Sequence, residues 1–151
     1  MYQRILVPVD GSPTSTRGLD EAIRLAKDQD ATIRVVHVVE EYILIQSGGM
    51  FGGDGNAGDL IDMLRKEGEK TVAEAVALAG KQGVKAESAV LEKFSNRSSE
   101  GILEEARNWK ADLIVMGTHG RRGMSHLMLG SDAEIVVRTA QVPVLLVRSQ
   151  D

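Results

Sequence analysis

The chain has 151 residues, of which 42% are hydrophobic and 26% charged, so we expect a single globular domain over residues 1–151. It contains no cysteine, which excludes disulfide scaffolds, thiolate metal sites and cysteine nucleophiles and fits a reducing, cytoplasmic location. A net charge of -4 argues against a general nucleic-acid binder, and no window approaches the roughly 20 apolar residues that span a bilayer, so neither nucleic acid nor membrane is an expected partner.

The first elements predicted along the chain are a strand, a helix and a second strand. An aliphatic run from Arg4 to Val9 predicts the first strand. Ser12 and Pro13 then form a cap and first-turn pair that predicts a helix. Its apolar positions recur at three- and four-residue spacing: Leu19, Ala22, Ile23 and Ala26. The run from Ala31 to Val39 predicts the second strand.

The middle of the chain predicts a longer helix, a third strand and a third helix. The long helix ends near Gly80, and the third strand runs from Lys85 to Leu91. The long helix carries an apolar stripe expected to lie in the core: Leu60, Met63, Leu64, Thr71, Val72, Ala75, Val76 and Ala79. The third helix carries a shorter stripe: Ile102, Leu103, Ala106 and Trp109.

The last predicted elements are two strands on either side of a fourth helix. The strands are Asp112–Met116 and Val142–Arg148, and the helix opens at Gly130–Glu134. Strands that alternate with helices predict βαβ units with right-handed crossovers. We therefore expect a doubly wound, Rossmann-like α/β fold with a five-stranded parallel sheet, strand order 3-2-1-4-5, and helices on both faces.

Two loops face each other in such a sheet, because ligands bind at the carboxyl ends of strands where the winding reverses. The first is Val9–Ser12 and the second is the glycine-rich stretch Gly117–Gly123, which runs on to Gly130. Glycines let the backbone approach a ligand, and a helix N-terminus adds unpaired N–H groups, so the pattern suits a phosphate. The alternative for Ser131–Glu134 is a Ser-x-x-Glu capping box that needs no ligand, and the two interpretations can coexist.

The glycine spacing resembles the signature of the universal stress proteins, in particular their ATP-binding branch. That signature is Gly, two residues, Gly, nine residues, then Gly followed by Ser or Thr. The chain supplies it with Gly117, Gly120, Gly130 and Ser131. The similarity extends to ILVPVDGS at the start, VVHVVE in the second strand, DLIVMGTHGRRG in the fourth unit and VPVLLVR at the end. It therefore spans nearly the whole chain.

The resemblance implies an ATP site with Mg²⁺ accompanying the nucleotide. Asp10, preceded by Pro8 and Val9, would hold the ribose or a nearby phosphate and the metal. The alternative is that Asp10 only caps its turn. Val38 would offer backbone groups to the adenine, although core packing explains its side chain equally well.

The glycine-rich loop supplies the rest of the site that the resemblance implies. Met116 and Gly117 would flank the nucleoside, and Met116 could equally be a core residue. The residues implied for the phosphates are Gly120, Arg121, Gly130 and Ser131.

Two residues depart from the family pattern after Ser131. The family often has an apolar residue and then Ser or Thr, whereas this chain has Asp132 and Ala133. Ala133 lacks a hydroxyl donor. Asp132 places a carboxylate beside the implied phosphate site and should weaken ATP binding unless Arg121, Arg122 or a metal offsets its charge, or unless it points to solvent.

Three functions remain open on these residues. The first is a regulatory protein of the stress response that binds ATP with slow or no turnover. The second is a slow ATPase or phosphotransferase, for which the sequence offers no identifiable general base. The third is a nucleotide-free interaction module.

The final strand raises the question of assembly. The run 142–148 is expected at a sheet edge with unpaired backbone groups, so pairing with a second copy would give a two-fold dimer, as the resemblance also implies. The alternative is an edge short enough to be tolerated in a monomer.

Overall fold

The computed structural model describes residues 1–40, 57–93, 97–119 and 129–148. In these ranges strands alternate with helices, as the sequence predicts. The elements are β1 Arg4–Pro8, α1 Pro13–Gln29, β2 Thr32–Glu40, α2 Ala57–Lys81, β3 Lys85–Lys93, α3 Ser98–Asn108, β4 Leu113–Gly117, α4 Ser131–Thr139 and β5 Val144–Val147.

The strands form one parallel sheet in the order β3-β2-β1-β4-β5, which confirms the predicted fold. β1 lies in the middle, with Pro8 opposite Val36 of β2 and Leu6 opposite Ile114 of β4. The winding reverses at β1, so the carboxyl ends of β1, β2 and β4 meet at one edge. The candidate site lies at this edge.

Side chains that alternate along the strands contribute to two apolar cores, one on each face of the sheet. One core packs the sheet against α1 and α2 and includes Ile5, Val35 and Val115, while the other packs it against α3 and α4 and includes Leu6 and Ile114. Both faces of the central strands are therefore buried, which explains their nearly continuous apolar sequences.

The long helix departs from its predicted core stripe at one end. Val72, Ala75 and Ala79 are buried, but Leu60 is 37% exposed and Met63 is 66% exposed. A helix as long as α2 measures about 37 Å, whereas a nine-residue strand spans about 30 Å, so the first turns of α2 overhang the sheet. The core prediction was wrong for those two residues. In the described ranges, no helix is long and apolar enough to cross a membrane.

Candidate functional site

The turn after β1 is shaped by the side chain of Asp10. Its Oδ1 accepts a hydrogen bond from the Ser12 N–H at 2.9 Å, and Gly11 between them has a φ of +78°. Ser12 in turn caps α1, since its Oγ accepts the Ser15 N–H at 3.2 Å. Asp10 therefore orders the turn, as its structural interpretation predicted. A carboxylate can accept about four hydrogen bonds, so this role does not compete with ligand binding.

β2 runs past the end of β1 at Val38. The Val9 N–H donates to the Val36 carbonyl at 2.8 Å, and the register between the two strands stops at Pro8 and Val36. Backbone groups alternate sides along a strand, so Val38, two residues after Val36, presents its N–H and C=O beyond the end of β1. The Val38 side chain packs in the core beside α3. Both interpretations of Val38 are therefore compatible with its position.

The end of β4 explains one glycine of the pattern by packing. A Cβ on Gly117 would lie 2.9 Å from Thr14 Cγ2 and 3.0 Å from the Thr14 backbone. Glycine at 117 is thus what lets α1 approach the sheet. Met116, 6% exposed, lies in the core between the sheet, α3 and α4.

Thr118 holds the two ends of the glycine-rich segment together. Its N–H donates to the Val147 carbonyl at 3.0 Å, and its own carbonyl accepts the Gly130 N–H at 2.8 Å. Gly130 is thereby fixed beside the end of β4, although it lies far along the chain. Gly120 and Arg121, implied for the phosphates, lie outside the described residues.

The start of α4 corrects the predicted capping box. Gly130 is the N-cap, with φ -62° and ψ 148°, and its carbonyl accepts the Glu134 N–H at 2.9 Å. Ser131 is therefore the first helical residue, and no side chain caps the helix because the N-cap residue has none. The first N–H groups of a helix have no acceptor within it, so this start favours an anion.

Two acidic residues in the first turn of α4 bind other residues rather than the N–H groups of that turn. Asp132 Oδ1 accepts the Ser99 N–H at 2.8 Å, at the start of α3, whose N-cap Arg97 makes no side-chain cap bond. Glu134 pairs with Arg138 one turn later, at 3.5 Å. Asp132 therefore caps a neighbouring helix. The contact could not be read from the sequence, since the partners are 33 residues apart.

Ala133 and the acidic residues determine what the site can offer a phosphate or a metal. The Ala133 side chain is 3% exposed and lies in the core, so only its backbone is available at the helix start. Across the four described ranges, no group of three or more His, Cys, Asp or Glu residues could hold a metal ion. Asp10 thus belongs to no such group among the described residues, and it is compatible with a metal whose other ligands come with a nucleotide.

The sequence was compared with family models and with known proteins. Residues 1–148 match the model of the universal stress protein family. A universal stress protein of Methanocaldococcus jannaschii is 34% identical over 148 residues, covering 98% of this chain and 83% of the relative.

Solved structures give the same match. A universal stress family protein from Burkholderia pseudomallei is 34% identical, with a TM-score of 0.75 and coverage of 96% of this chain and 95% of that one. The universal stress protein from Archaeoglobus fulgidus in complex with dAMP is 26% identical, with a TM-score of 0.66 and coverage of 97% and 98%. Both similarities extend over the whole fold, including the edge where β1, β2 and β4 end.

Proposed function

Since the chain belongs to the universal stress protein family, we propose that it is a regulatory protein of the stress response that binds ATP at the carboxyl edge of its sheet. We place it in the ATP-binding branch of the family, with slow or no turnover. A relative of the same fold was solved with dAMP, which supports an adenine nucleotide as the ligand.

The observation that carries this proposal is the start of α4. Its N-cap is a glycine whose extended backbone angles any residue can adopt, so glycine is not needed there for its backbone conformation. The missing side chain instead leaves the first-turn amides open to a phosphate. Both carboxylates of that turn are engaged by Ser99 and Arg138, which reduces the repulsion expected from Asp132.

In the proposed complex the other walls of the crevice take the nucleoside. The Val38 backbone would bind the adenine edge, and the turn Pro8–Asp10 would hold the ribose and Mg²⁺. The backbone of Met116 and Gly117 would lie beside the nucleoside, and Gly120 and Arg121 would complete the phosphate site with Gly130, Ser131, Asp132 and Ala133.

Calorimetric titration with ATP and MgCl₂ tests the proposal. The wild type should bind, and Gly130→Val should abolish binding while the domain stays folded, because its backbone angles suit valine. Gly80→Ala, in a position with nothing within 4 Å of the added methyl, is the matched control and should bind like the wild type. Unchanged affinity in a folded Gly130→Val protein would show that ATP does not bind at this site. A wild type that binds no nucleotide would favour the nucleotide-free interaction module.

A phosphate-release assay separates the regulatory function from the slow ATPase. We expect turnover near background, well below the roughly 1 to 1000 per second of ordinary enzymes, since the described site has no evident base. Robust turnover that disappears in Gly130→Val would make the protein an ATPase instead.

We also propose a cytoplasmic homodimer that pairs through the strand region 142–148. β5 is a sheet edge of four residues, Val144–Val147, and each of them is partly exposed. Pairing with the same strand of a second copy would satisfy its free backbone groups. The carbonyls of Pro143 and Val147 accept hydrogen bonds from β4 and from Thr118 directly after it, so the backbone groups of Val144 and Leu146 face outward. Leu146→Pro removes one of these outward donors and should give monomers by sedimentation. A wild type that sediments as a monomer at micromolar concentration would refute the dimer.

A further inference from the structure

His37 is a buried histidine that bonds to the loop of the site. It lies on β2 and is 8% exposed, and its Nδ1 is 2.8 Å from the Val9 carbonyl oxygen. A carbonyl oxygen can only accept, so Nδ1 carries the proton of this bond. The imidazole therefore donates directly to the residue before Asp10.

The position of this bond in the sheet gives it a second consequence. After the Val9 N–H donates to the Val36 carbonyl, a continued parallel ladder would next run from the Val38 N–H to the Val9 carbonyl. The register instead ends at Pro8 and Val36. The His37 side chain thus bonds to the same carbonyl that the ladder would use, and the Val38 peptide remains directed past the end of β1.

The ring is held in place by its packing on α2. A Cβ built on Gly68 would come within 2.7 Å of His37 Cδ2, so the helix lies directly against the imidazole at a glycine. With Nδ1 bonded on one side and the helix backbone on the other, the ring has little freedom to rotate.

We propose that His37 is a positioning residue of the nucleotide site: by donating to the Val9 carbonyl it ends the β1–β2 ladder and keeps the Val38 peptide available to the adenine edge. This inference rests on the proposed function for its ligand. Removing the donor would leave a buried carbonyl unsatisfied, and the Val38 N–H is the group placed to replace it.

The test compares His37→Leu with His37→Asn. The two side chains have the same branching, both lose the ring, and only asparagine retains an N–H donor near the position of Nδ1. We expect the leucine variant to bind ATP with Mg²⁺ at least about ten-fold more weakly than the asparagine variant in calorimetry. In the leucine variant the Val38 N–H would donate to the Val9 carbonyl and would no longer be available to the adenine.

Amide hydrogen exchange measured by NMR in the absence of nucleotide provides a readout that does not depend on ATP. The Val38 amide should exchange faster than that of Val36 in the wild type and become protected in His37→Leu but not in His37→Asn. If the wild type fails to bind ATP but the exchange pattern holds, the proposed ligand is wrong and the ladder-ending role stands.

Two results would overturn the inference. One is a Val38 amide as protected as Val36 in the wild type, and the other is equal ATP affinity in the leucine and asparagine variants. Should either substitution at 37 prevent folding, Gly68→Ala displaces the same ring from the helix side, and an unchanged affinity and Val38 exchange rate in that variant would equally refute the role of the ring.

Discussion

Replacing Gly68 by alanine tests the contact between α2 and His37 through stability. An alanine in a helix interior is favoured over glycine by about 1 kcal/mol. The new methyl would lie 2.7 Å from His37 Cδ2, in a ring held by its bond to Val9, and overpacking of this kind costs about 1–3 kcal/mol. We therefore expect the free energy of unfolding to fall by about 0–2 kcal/mol.

Gly80→Ala provides the control in the same helix. Nothing lies within 4 Å of the added methyl, so only the helix preference acts, and the free energy of unfolding should rise by up to about 1 kcal/mol. Urea unfolding followed by far-UV circular dichroism measures both variants, and for a chain of this size 1 kcal/mol corresponds to about 2–4 °C in Tm. A Gly68→Ala protein as stable as Gly80→Ala would refute the close packing of the ring.

Three further predictions concern neighbouring contacts. Gly117→Ala should lower the free energy of unfolding by about 1–3 kcal/mol without nucleotide present, because its methyl would lie 2.9 Å from Thr14 Cγ2 in α1. If urea unfolding gives the variant the same free energy of unfolding as the wild type, the packing role of Gly117 is contradicted. Asp132→Val should cost about 1 kcal/mol in the same assay by removing the acceptor at the start of α3, whereas Asp132→Asn, which keeps an oxygen, should cost less. Hydrogen bonds from Arg65 and from Lys93 lower the pKa of Glu92 and of Glu104, so their stabilisation is present above the ordinary carboxyl pKa and is lost as the pH falls through the lowered values. The loss, measured by urea unfolding as the pH is brought below the ordinary carboxyl range, should be small because both groups are exposed, and it should be smaller still in Glu92→Gln.

The fold could be predicted because its signals are local. Continuous apolar runs mark strands buried on both faces, and alternation with helices leaves few possible topologies. The start of α1 was equally local, since Ser12 and Pro13 carry the cap within one turn. Burial at the start of α2 could not be predicted locally. Leu60 and Met63 have the same spacing as the core residues of the helix, and they are exposed because they lie past the edge of the sheet.

The contacts of the candidate site depend on distant parts of the chain. The sequence shows that Asp132 is acidic and near a helix start, but only the packing of α4 against α3 directs it to Ser99. In the same way, nothing near Gly117 reveals that its missing side chain accommodates Thr14. A glycine pattern therefore mixes residues needed for packing with residues available to a ligand, and only the fold separates them.

The hydrogen bond between Thr118 and Gly130 also has a consequence for chain length. It joins the two ends of the segment 119–129 at a fixed point of the sheet, independently of what lies between them. The bond fixes the points where this segment begins and ends, but it does not fix the number of residues between them. In the proposed function, the spacing of nine residues between Gly120 and Gly130 would be preserved for the ligand. Under that proposal, the length of the segment would be a criterion for nucleotide binding that is separate from residue identity.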